Sequence, residues 1–371
     1  MAPLGVAARL LMKGPVMGPL HSLQALCLPP DTEVVNDAKA LVEELDDLSL
    51  HNVRPIWLTD VQPELADRFL QADASSPPAP EDLNPALPGR LEFARRHILT
   101  HRTVADRIVA DSARRRYRTV VLLLVDGLGY HDAVGWPENV EPCLVDGPSI
   151  TYYQKKGSED IVPEVGFPGI VGTPRLARRL IDAGLPHSHG FSYWSREKND
   201  VSRFLFEGIP LTRVVSFSEV LGELRNINLE QTYIQVVREG LDGVAHRRRE
   251  VTTADVDAAV QAIRADVLSL FDELQTRPRP VAIYLTADHG ILWKAQHSFE
   301  MLRTENRVHP RYGTVTPHEP ENCTCFAFDK QTFYLYHYPH IGAPIRRNDS
   351  GVHGGLSAQE SLVPFIRWEL T

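Results

Sequence analysis

Carboxylate and imidazole side chains follow two apolar runs that predict buried β-strands. Asp126 closes the run of residues 120–125, and the adjacent Asp288 and His289 follow a second run, residues 280–286. A short apolar run bounded by turn residues is typical of a buried parallel strand, and open α/β sheets bind ligands at the carboxyl ends of their strands. We therefore predict that these three side chains meet at one edge of a sheet.

A third carboxylate and two more imidazoles stand at similar places in the chain. Asp242 and His246 follow a predicted strand over residues 231–237, and their spacing of four residues puts both on one face of a helical turn. His353 lies between a valine and two glycines. Since glycine has no side chain to obstruct an approach, this backbone can bring an imidazole close to a ligand.

Together these side chains form a ligand set of oxygen and nitrogen atoms without cysteine sulfur. Such a set suits zinc, with manganese as the alternative. Two such ions about 4 Å apart stabilise the attacking and leaving oxygens of an in-line phosphoryl displacement. The members of the set are Asp126, Asp242, His246, Asp288, His289 and His353.

A hydroxyl that could act as nucleophile precedes a predicted helix. Thr173 is followed by Pro174 and by apolar residues at helical spacing up to Gly184, so we expect it to be the N-cap. Free N–H groups at a helix N-terminus favour an alkoxide and a neighbouring phosphate, which Arg175 could also contact. Thr173 could equally be only a cap, and Ser149 and Thr151 remain alternative nucleophiles.

The remaining pattern alternates strands and helices, which is typical of the α/β class. Residues 252–275 hold apolar positions at helical spacing and predict a helix that covers the sheet. Residues 292–322 are polar and irregular, so we expect a long loop or cap near the mouth of the site, with His297, His309 and His318 not assigned as ligands. 

The first part of the chain is predicted to be a separate extension. It contains a predicted helix over residues 37–50, a strand over 53–58 and a proline-rich linker over 74–89, followed by a helix over 91–116. We divide the chain into an N-terminal extension of unassigned role, residues 1–112, and a catalytic domain, residues 113–371.

Bulk composition excludes several classes of partner. The chain has 371 residues and a formal net charge of -9, which argues against a general nucleic-acid surface and leaves open a local basic groove around a catalytic site. The ligand set with its hydroxyl nucleophile predicts a small phosphorylated substrate. No run approaches eighteen apolar residues and no leader is apparent, so we expect a cytoplasmic protein without membrane contact. The four cysteines are expected to be buried or incidental thiols in a reducing compartment.

The motifs, in their order along the chain, resemble the alkaline phosphatase superfamily and its type I phosphodiesterase and nucleotide pyrophosphatase branch. The matching stretches are V-V-L-L-L-V-D-G-L-G, F-P-G-I-V-G-T-P with P-H-S-H-G, G-L-D-G-V-A-H, L-T-A-D-H-G and G-V-H-G-G. The resemblance implies an α/β/α sandwich with a mostly parallel central sheet, an N-terminal extension and cap insertions. 

The resemblance also implies a division of the ligands. One metal ion would be surrounded by Asp126, Thr173, Asp288 and His289, with Thr173 as the nucleophile that forms a phospho-threonine intermediate. The other would be held by Asp242, His246 and His353. Arg175 and Trp194 are predicted to contact the substrate.

Several features leave the subfamily open. Residues 191–194 read F-S-Y-W, where nucleotide pyrophosphatases usually supply an asparagine to the phosphate. The ending H-G-G-L-S-A-Q-E-S-L-V-P is similar to the PglZ-type branch of the superfamily. A phosphodiesterase is therefore the leading interpretation, with a phosphomonoesterase and a PglZ-type component that mainly binds a partner as alternatives.

If Asp126 is a metal ligand, Asp126→Asn costs far more activity than stability. Phosphoesterase turnover and urea unfolding of the same preparation separate the two effects. Equal losses of activity and stability would show that Asp126 only supports the turn after its strand.

Overall fold

A computed structural model describes most of the chain beyond residue 98 and two short strands before it. The described residues are 33–35, 56–58, 99–133, 136, 140–145, 147, 155–156, 159–160, 166–172, 174–194, 200–247, 250–295, 298–302, 309–314, 323–328 and 331–371. The predicted helix over 37–50, the linker over 74–89 and all three candidate nucleophiles, Thr173, Ser149 and Thr151, lie outside these ranges.

Nineteen strands are present in the described ranges. They are β1 (Glu33–Val35), β2 (Ile56–Leu58), β3 (Leu99–Thr100), β4 (Thr119–Asp126), β5 (Val140–Leu144), β6 (Lys155–Lys156), β7 (Glu159–Asp160), β8 (His187–Ser192), β9 (Leu211–Arg213), β10 (Thr232–Glu239), β11 (Val281–Ala287), β12 (Leu292–Trp293), β13 (Glu300–Met301), β14 (Tyr312–Thr314), β15 (Cys323–Phe328), β16 (Gln331–Tyr336), β17 (His340–Ile341), β18 (Gly351–Val352) and β19 (Leu362–Leu370).

Eight α-helices connect these strands in the same ranges. They are α1 (His101–Arg115), α2 (Phe167–Val171), α3 (Leu176–Asp182), α4 (Asp200–Leu205), α5 (Phe217–Asn226), α6 (Asp242–Arg247), α7 (Thr253–Gln275) and α8 (Ala358–Ser361). No described helix combines the length and the apolar character that crossing a bilayer requires.

An eight-stranded sheet forms the centre of the molecule, in the order β3-β5-β19-β11-β4-β10-β8-β9. The five strands from β11 to β9 are mutually parallel, and β19 runs antiparallel to both of its neighbours, β11 and β5. The predicted α/β class with a mostly parallel central sheet is therefore confirmed. 

The central strands are covered on both faces. All eight residues of β4 and all seven of β11 are buried, so their near-continuous apolar sequences match the environment of a parallel sheet between helical layers. Two groups of helices are in contact: α1 contacts α2 and α3, with α4 contacting α2, and α5 contacts α7. One large apolar core joins both groups to the sheet.

Helix α7 confirms the predicted helix over residues 252–275. Thr252 is its N-cap: the Thr252 hydroxyl accepts the Asp255 backbone N–H, and the Asp255 carboxylate accepts the Thr252 backbone N–H. This reciprocal capping box satisfies two N–H groups that would otherwise lack a partner at the helix start. Val260, Ile263 and Leu270 are among the residues on its buried face.

Helix α1 begins later than the predicted helix over residues 91–116. Within the described residues, β3 comes first and pairs in parallel with β5, and α1 starts at His101. The helix crosses the predicted domain boundary between residues 112 and 113 and contacts α2 and α3. The sheet-bearing unit therefore includes residues from Leu99 onward, while the role of the preceding extension stays a prediction.

The predicted start of the helix after Thr173 is wrong. Helix α3 begins at Leu176, and its N-cap is Arg175, whose backbone is extended. A separate short helix, α2, comes before it. The proline at position 174 therefore precedes the cap instead of occupying the first helical turn.

The polar region over residues 292–322 is more ordered than the predicted loop where it is described. It contributes β12, β13 and β14, and β14 joins β16 and β15 in a three-stranded sheet. Cys323 and Cys325 lie in β15, and Cys143 is buried in β5.

The capping box of α7 predicts a measurable loss on substitution. We expect Thr252→Ala to lower the free energy of unfolding by about 1 kcal/mol, because an Asp255 backbone N–H loses its acceptor. Urea unfolding measures the change. Ser269→Ala on the same helix is the control, since it removes an exposed hydroxyl bonded to the Ala265 carbonyl. Equal midpoints for Thr252→Ala and the wild type would contradict the capping role.

Candidate metal centre

Three adjacent strands deliver acidic side chains to one edge of the sheet. Asp126 is the last residue of β4, Asp288 directly follows β11, and Asp242 opens α6 shortly after β10. Since β10, β4 and β11 are neighbours and parallel, their carboxyl ends meet there. The predicted convergence of the strand ends is present in the structure.

A glycine allows the loops after β4 and β10 to approach closely. Gly127 has a φ of +74°, and a Cβ at this position would lie 2.8 Å from the backbone nitrogen of Asp242. Its carbonyl accepts a hydrogen bond from the Leu241 N–H at 3.1 Å. Any larger residue would push Asp242 away from Asp126.

A short antiparallel ladder brings His353 to the same edge. Leu292 in β12 pairs with Val352 in β18, so His353 follows a strand that is tied to the segment just after His289. The two imidazole rings stack with their centroids 3.7 Å apart and their planes within 5°. His353 is buried, and its Nε2 lies 3.4 Å from Asp242 Oδ1.

Three buried atoms at the centre have no hydrogen-bond partner among the described residues. They are Asp126 Oδ1, Asp242 Oδ1 and His289 Nε2. His289 Nε2 lies 3.8 Å from Asp126 Oδ1 and 4.0 Å from Asp242 Oδ1, and ligand atoms of all three residues lie within 4.8 Å of one another. Buried polar atoms normally have a partner, so this cluster requires one.

Because of the tautomer of His289, its Nε2 is an acceptor and repels the two carboxylate oxygens. Its Nδ1 lies 3.1 Å from the Gly290 carbonyl oxygen, which can only accept, so Nδ1 carries the proton. Burial lowers the pKa of His289 to about 3, so the ring is neutral and Nε2 presents a lone pair. A lone pair facing two carboxylate oxygens fits a cation between them.

A second group shares Asp242. Atoms of Asp242, His246 and His353 also lie within 4.8 Å of one another, and His246 Nε2 is 3.2 Å from Asp242 Oδ1 without the alignment of a hydrogen bond. The opposite nitrogen, His246 Nδ1, lies 3.3 Å from Asp349 Oδ1. The sequence placed Asp242 in one ligand group, whereas in the structure it lies beside both.

Asp288 is fixed by backbone donors. Its Oδ1 accepts the N–H groups of Gly127 and His289, each at 3.1 Å, and its Oδ2 lies 3.4 Å from His289 Nε2. Asp288 therefore lies beside the group of Asp126, Asp242 and His289. Its Oδ2 faces His289 Nε2, the nitrogen that Asp126 Oδ1 also faces.

Burial and like charge shift the acid groups in the same direction. Burial, followed by the charges of Asp242 and Asp288, raises the pKa of Asp126 well above its usual range, and burial together with the Asp242 charge does the same for the pKa of Asp288. Such carboxylates can ionise together only when positive charge is close. A divalent cation would supply that charge.

The outer pair of the cluster behaves differently because it is more open. The neighbouring Asp242 carboxylate raises the pKa of His246 to about 9. Burial opposes ionisation of Asp242, yet His246 and the charge of His353 lower its pKa overall. The side chains of His246 and Asp242 are 34% and 22% exposed, against 1% for His289. Because both residues belong to α6, the α6 side is the open side of the site.

Three residues near the cluster were not assigned from the sequence. The Tyr193 hydroxyl donates to Asp126 Oδ2, and Asp349 supports His246 as described above. His309 stacks on Tyr312, and its ring centroid is 6.0 Å from that of His353. The only available signals were the F-S-Y-W departure for Tyr193 and the N-D-S-G-V-H stretch for Asp349.

Arg175 has structural contacts near the start of α3. Its guanidinium donates to the Phe204 and Gly172 carbonyls, lies over the Phe204 ring and is 3.4 Å from the Glu207 carboxylate. These contacts join α3 to the end of α4, so its predicted contact with substrate stays a prediction. 

Trp194 lies beside Tyr193, close to the cluster. Its ring centroid is 5.0 Å from that of Tyr193 and 5.8 Å from that of Phe167. The side chain is half-buried. This position is compatible with the predicted substrate contact and does not test it.

His309 generates a prediction about acid stability. Burial lowers the pKa of His309 to about 3, whereas an unfolded histidine titrates near 6.5. Unfolding therefore takes up a proton below pH 6.5, and stability is lost as the pH falls towards 3, by at most about 1.4 kcal/mol per pH unit.

His309→Gln removes this proton uptake. We expect the stability difference between the wild type and this variant to shrink as the pH falls from 7.5 to 4.5 in the presence of a chelator. Urea midpoints at several pH values measure it. A difference that does not depend on pH would show that His309 is accessible to protons in the folded state.

Comparisons with known proteins give distant structural likenesses. No family model matches the chain, and no curated protein matches it in sequence. Similar solved structures include murine ectonucleotide pyrophosphatase/phosphodiesterase 5, at 13% identity and a TM-score of 0.44, with 67% of this chain and 87% of that chain covered.

Two further similar structures are C-terminal periplasmic domains of phosphoethanolamine transferase EptC. The Escherichia coli domain, in complex with Zn, has 13% identity and a TM-score of 0.34 over 68% of this chain and 72% of that one. The Campylobacter jejuni domain has 10% identity and a TM-score of 0.34 over 67% and 78%.

At TM-scores of 0.34 to 0.44 these likenesses are weak, and the function proposed below is supported by the side chains of the cluster instead. The PglZ-like ending of the chain stays a resemblance in sequence. The similar structures are, by name, a nucleotide pyrophosphatase/phosphodiesterase and phosphoethanolamine transferases.

Proposed function

We propose that this chain is a metal-dependent phosphoric ester hydrolase, and that it acts as a phosphodiesterase on a nucleotide or another small phosphorylated metabolite. The observation that carries the proposal is the meeting of Asp126 Oδ1, Asp242 Oδ1 and His289 Nε2, three buried atoms without a hydrogen-bond partner among the described residues. A cation satisfies all three at once, and no rearrangement of the strands is needed.

The ligand set supports two ions of zinc, or of manganese. Asp126, Asp288 and His289, with the hydroxyl of Thr173, would hold one, and the group of Asp242, His246 and His353 would hold the other. When bound, such ions stabilise the attacking and leaving oxygens of a phosphoryl displacement. The position of Asp242 beside both groups supports a pair of close sites.

The surrounding residues would hold the ligands in orientation. Tyr193 donates to Asp126 Oδ2, and the Gly290 carbonyl fixes the proton of His289 on Nδ1. Asp349 faces the outer nitrogen of His246. Such outer partners set the direction and basicity of ligand lone pairs.

Thr173 is the proposed nucleophile. Its oxygen would form a bond to phosphorus as the bond to the leaving alcohol breaks, and the threonine proton would pass to that alcohol. The phospho-threonine formed in this way would still carry the second ester group of the diester, so its hydrolysis by water would release the phosphomonoester product and restore the Thr173 hydroxyl. Support comes from the preceding segment: a Cβ at Gly166, directly before α2, would lie 3.6 Å from the Asp288 Cβ. The same segment is tied to His101, whose Nδ1 accepts the Gly166 N–H.

Substrate is expected to enter from the side of α6. Asp242 and His246 are the partly exposed members of the cluster, while the others are buried. The half-buried ring of Trp194, beside Tyr193, offers an apolar surface for a base or another flat group of the substrate. 

The first test combines metal content with turnover. Protein loaded with Zn²⁺ or Mn²⁺ should cleave bis-p-nitrophenyl phosphate, and Asp288→Ala should contain less metal. Parallel rates with p-nitrophenyl phosphate distinguish a diesterase from a monoesterase. Absence of turnover on both esters, with metal content unchanged in Asp288→Ala, would refute the proposed function and favour the alternative of a partner-binding component.

A second variant tests the nucleophile. Thr173→Ala leaves Asp126, Asp288 and His289 as ligands, so it should keep its metal. It should lose turnover by roughly 10³-fold or more, the order of loss when a nucleophile is removed. Thr276→Ala, at the exposed end of α7, is the control, because it makes the same substitution away from the cluster. Acid quenching during turnover of bis-p-nitrophenyl phosphate should trap the p-nitrophenyl phosphoryl group on the wild type and on Thr276→Ala, and not on Thr173→Ala. Retained activity in Thr173→Ala would exclude the phospho-threonine intermediate.

A further inference from the structure

A fully buried ion pair contacts the loop that follows His353. The side chains of Arg311 and Glu360 are both 0% exposed. Arg311 Nε donates to Glu360 Oε1 at 2.9 Å, and its Nη2 donates to Oε2 at 3.0 Å. Its Nη1 donates to the His340 carbonyl at 2.6 Å.

The Glu360 carboxylate also shapes the loop that carries His353. Its Oε1 accepts the Gly355 N–H at 3.0 Å, and its Oε2 accepts the Ser357 hydroxyl at 2.5 Å. Gly355 is two residues beyond His353. The carboxylate thus fixes the backbone just after the imidazole.

The backbone of the same residue holds the His289 segment. The Glu360 carbonyl accepts the Gly290 N–H at 2.9 Å. Gly290 also has no room for a side chain, because a Cβ there would collide with the Gln359 carbonyl. Residues 359 and 360 therefore contact the segments that follow both stacked imidazoles.

Stability alone does not account for this arrangement. Burying an arginine and a glutamate costs desolvation that their attraction often fails to exceed, and apolar residues of similar volume are often as stable. What apolar residues cannot supply is an acceptor for the Gly355 N–H and the Ser357 hydroxyl. Those acceptors determine the path of the loop.

We propose that Glu360, held in place by Arg311, is the positioning residue that sets His353 against His289 for metal binding. The inference rests on the proposed metal-dependent function and adds a residue outside the ligand set. Glu360 itself touches neither the substrate nor the ligand atoms; it acts through the loop of residues 353–357.

Glu360→Gln tests the proposal. It keeps the shape but removes the charge, and its amide nitrogen faces an N–H donor of Arg311 whichever carboxylate oxygen it replaces. We expect the affinity for Zn²⁺, measured by calorimetric titration of the full chain, to fall by about 10 to 100-fold, as for other outer-sphere partners. The visible absorption of bound Co²⁺ should also change, because it reports ligand geometry.

Asp111→Asn is the matched control. Asp111 is a buried carboxylate that accepts from Arg367 at 2.8 Å and from the Tyr284 hydroxyl at 3.3 Å, away from the ligand cluster. It should destabilise the protein to urea while leaving Zn²⁺ affinity and the Co²⁺ spectrum unchanged. An equal loss of affinity in both variants would reduce the role of Glu360 to general stability.

Ser357→Ala covers the case in which Glu360→Gln fails to fold. It removes one hydrogen bond to the Glu360 carboxylate and leaves the pair of Arg311 and Glu360 intact. We expect it to lower Zn²⁺ affinity, by less than Glu360→Gln does. Wild-type affinity and spectrum in Ser357→Ala, or in a folded Glu360→Gln, would overturn the positioning role. A wild type that binds no metal would refute the proposed function instead.

Discussion

The central constraint on this structure is the close approach of three buried hydrogen-bond acceptors that repel one another. Asp126 Oδ1, Asp242 Oδ1 and His289 Nε2 face one another in a buried space, and none has a hydrogen-bond partner among the described residues. Each would be satisfied by water if it were exposed, so the fold holds them together at a cost in free energy. A bound cation would turn this cost into favourable binding. Burial, followed by the charges of Asp242 and Asp288, raises the pKa of Asp126.

The sheet supplies the rigidity that this requires. β4, β10 and β11 are neighbouring parallel strands, of which β4 and β11 are buried throughout, and their order fixes which side chains meet at their ends. His353 comes from a fourth segment of the chain. Its position is set by the pairing of β12 with β18 and by the loop that is hydrogen-bonded to Glu360. The cluster thus joins residues that are far apart in the chain through backbone hydrogen bonds, and Asp242 and His246 are its partly exposed members.

Much of the sheet and of the ligand cluster could be predicted from local sequence pattern. The apolar runs before Asp126 and Asp288 predicted strands, and the four-residue spacing of Asp242 and His246 predicted the turn of helix that is α6. These predictions succeeded because a strand or helix signal is local, and because parallel strands bring their carboxyl ends together whatever lies between them. The start of α3 was wrong because a threonine before a proline looks like a cap, while the chain first forms the separate helix α2.

Contacts across the fold could not be predicted in the same way. The bond from Tyr193 to Asp126 and the pair of Arg311 with Glu360 join positions that share no period or motif, so their partners become visible only in three dimensions. The sharing of Asp242 by both ligand groups is likewise a matter of side-chain geometry at the end of β10.

The central claim is that cations occupy this cluster. Crystals of the protein grown with Zn²⁺, with diffraction recorded on both sides of the zinc absorption edge, locate zinc directly. The account predicts two anomalous peaks about 4 Å apart, with Asp242 next to both. Zinc absent from the cluster, or bound only at surface histidines such as His187, would contradict it.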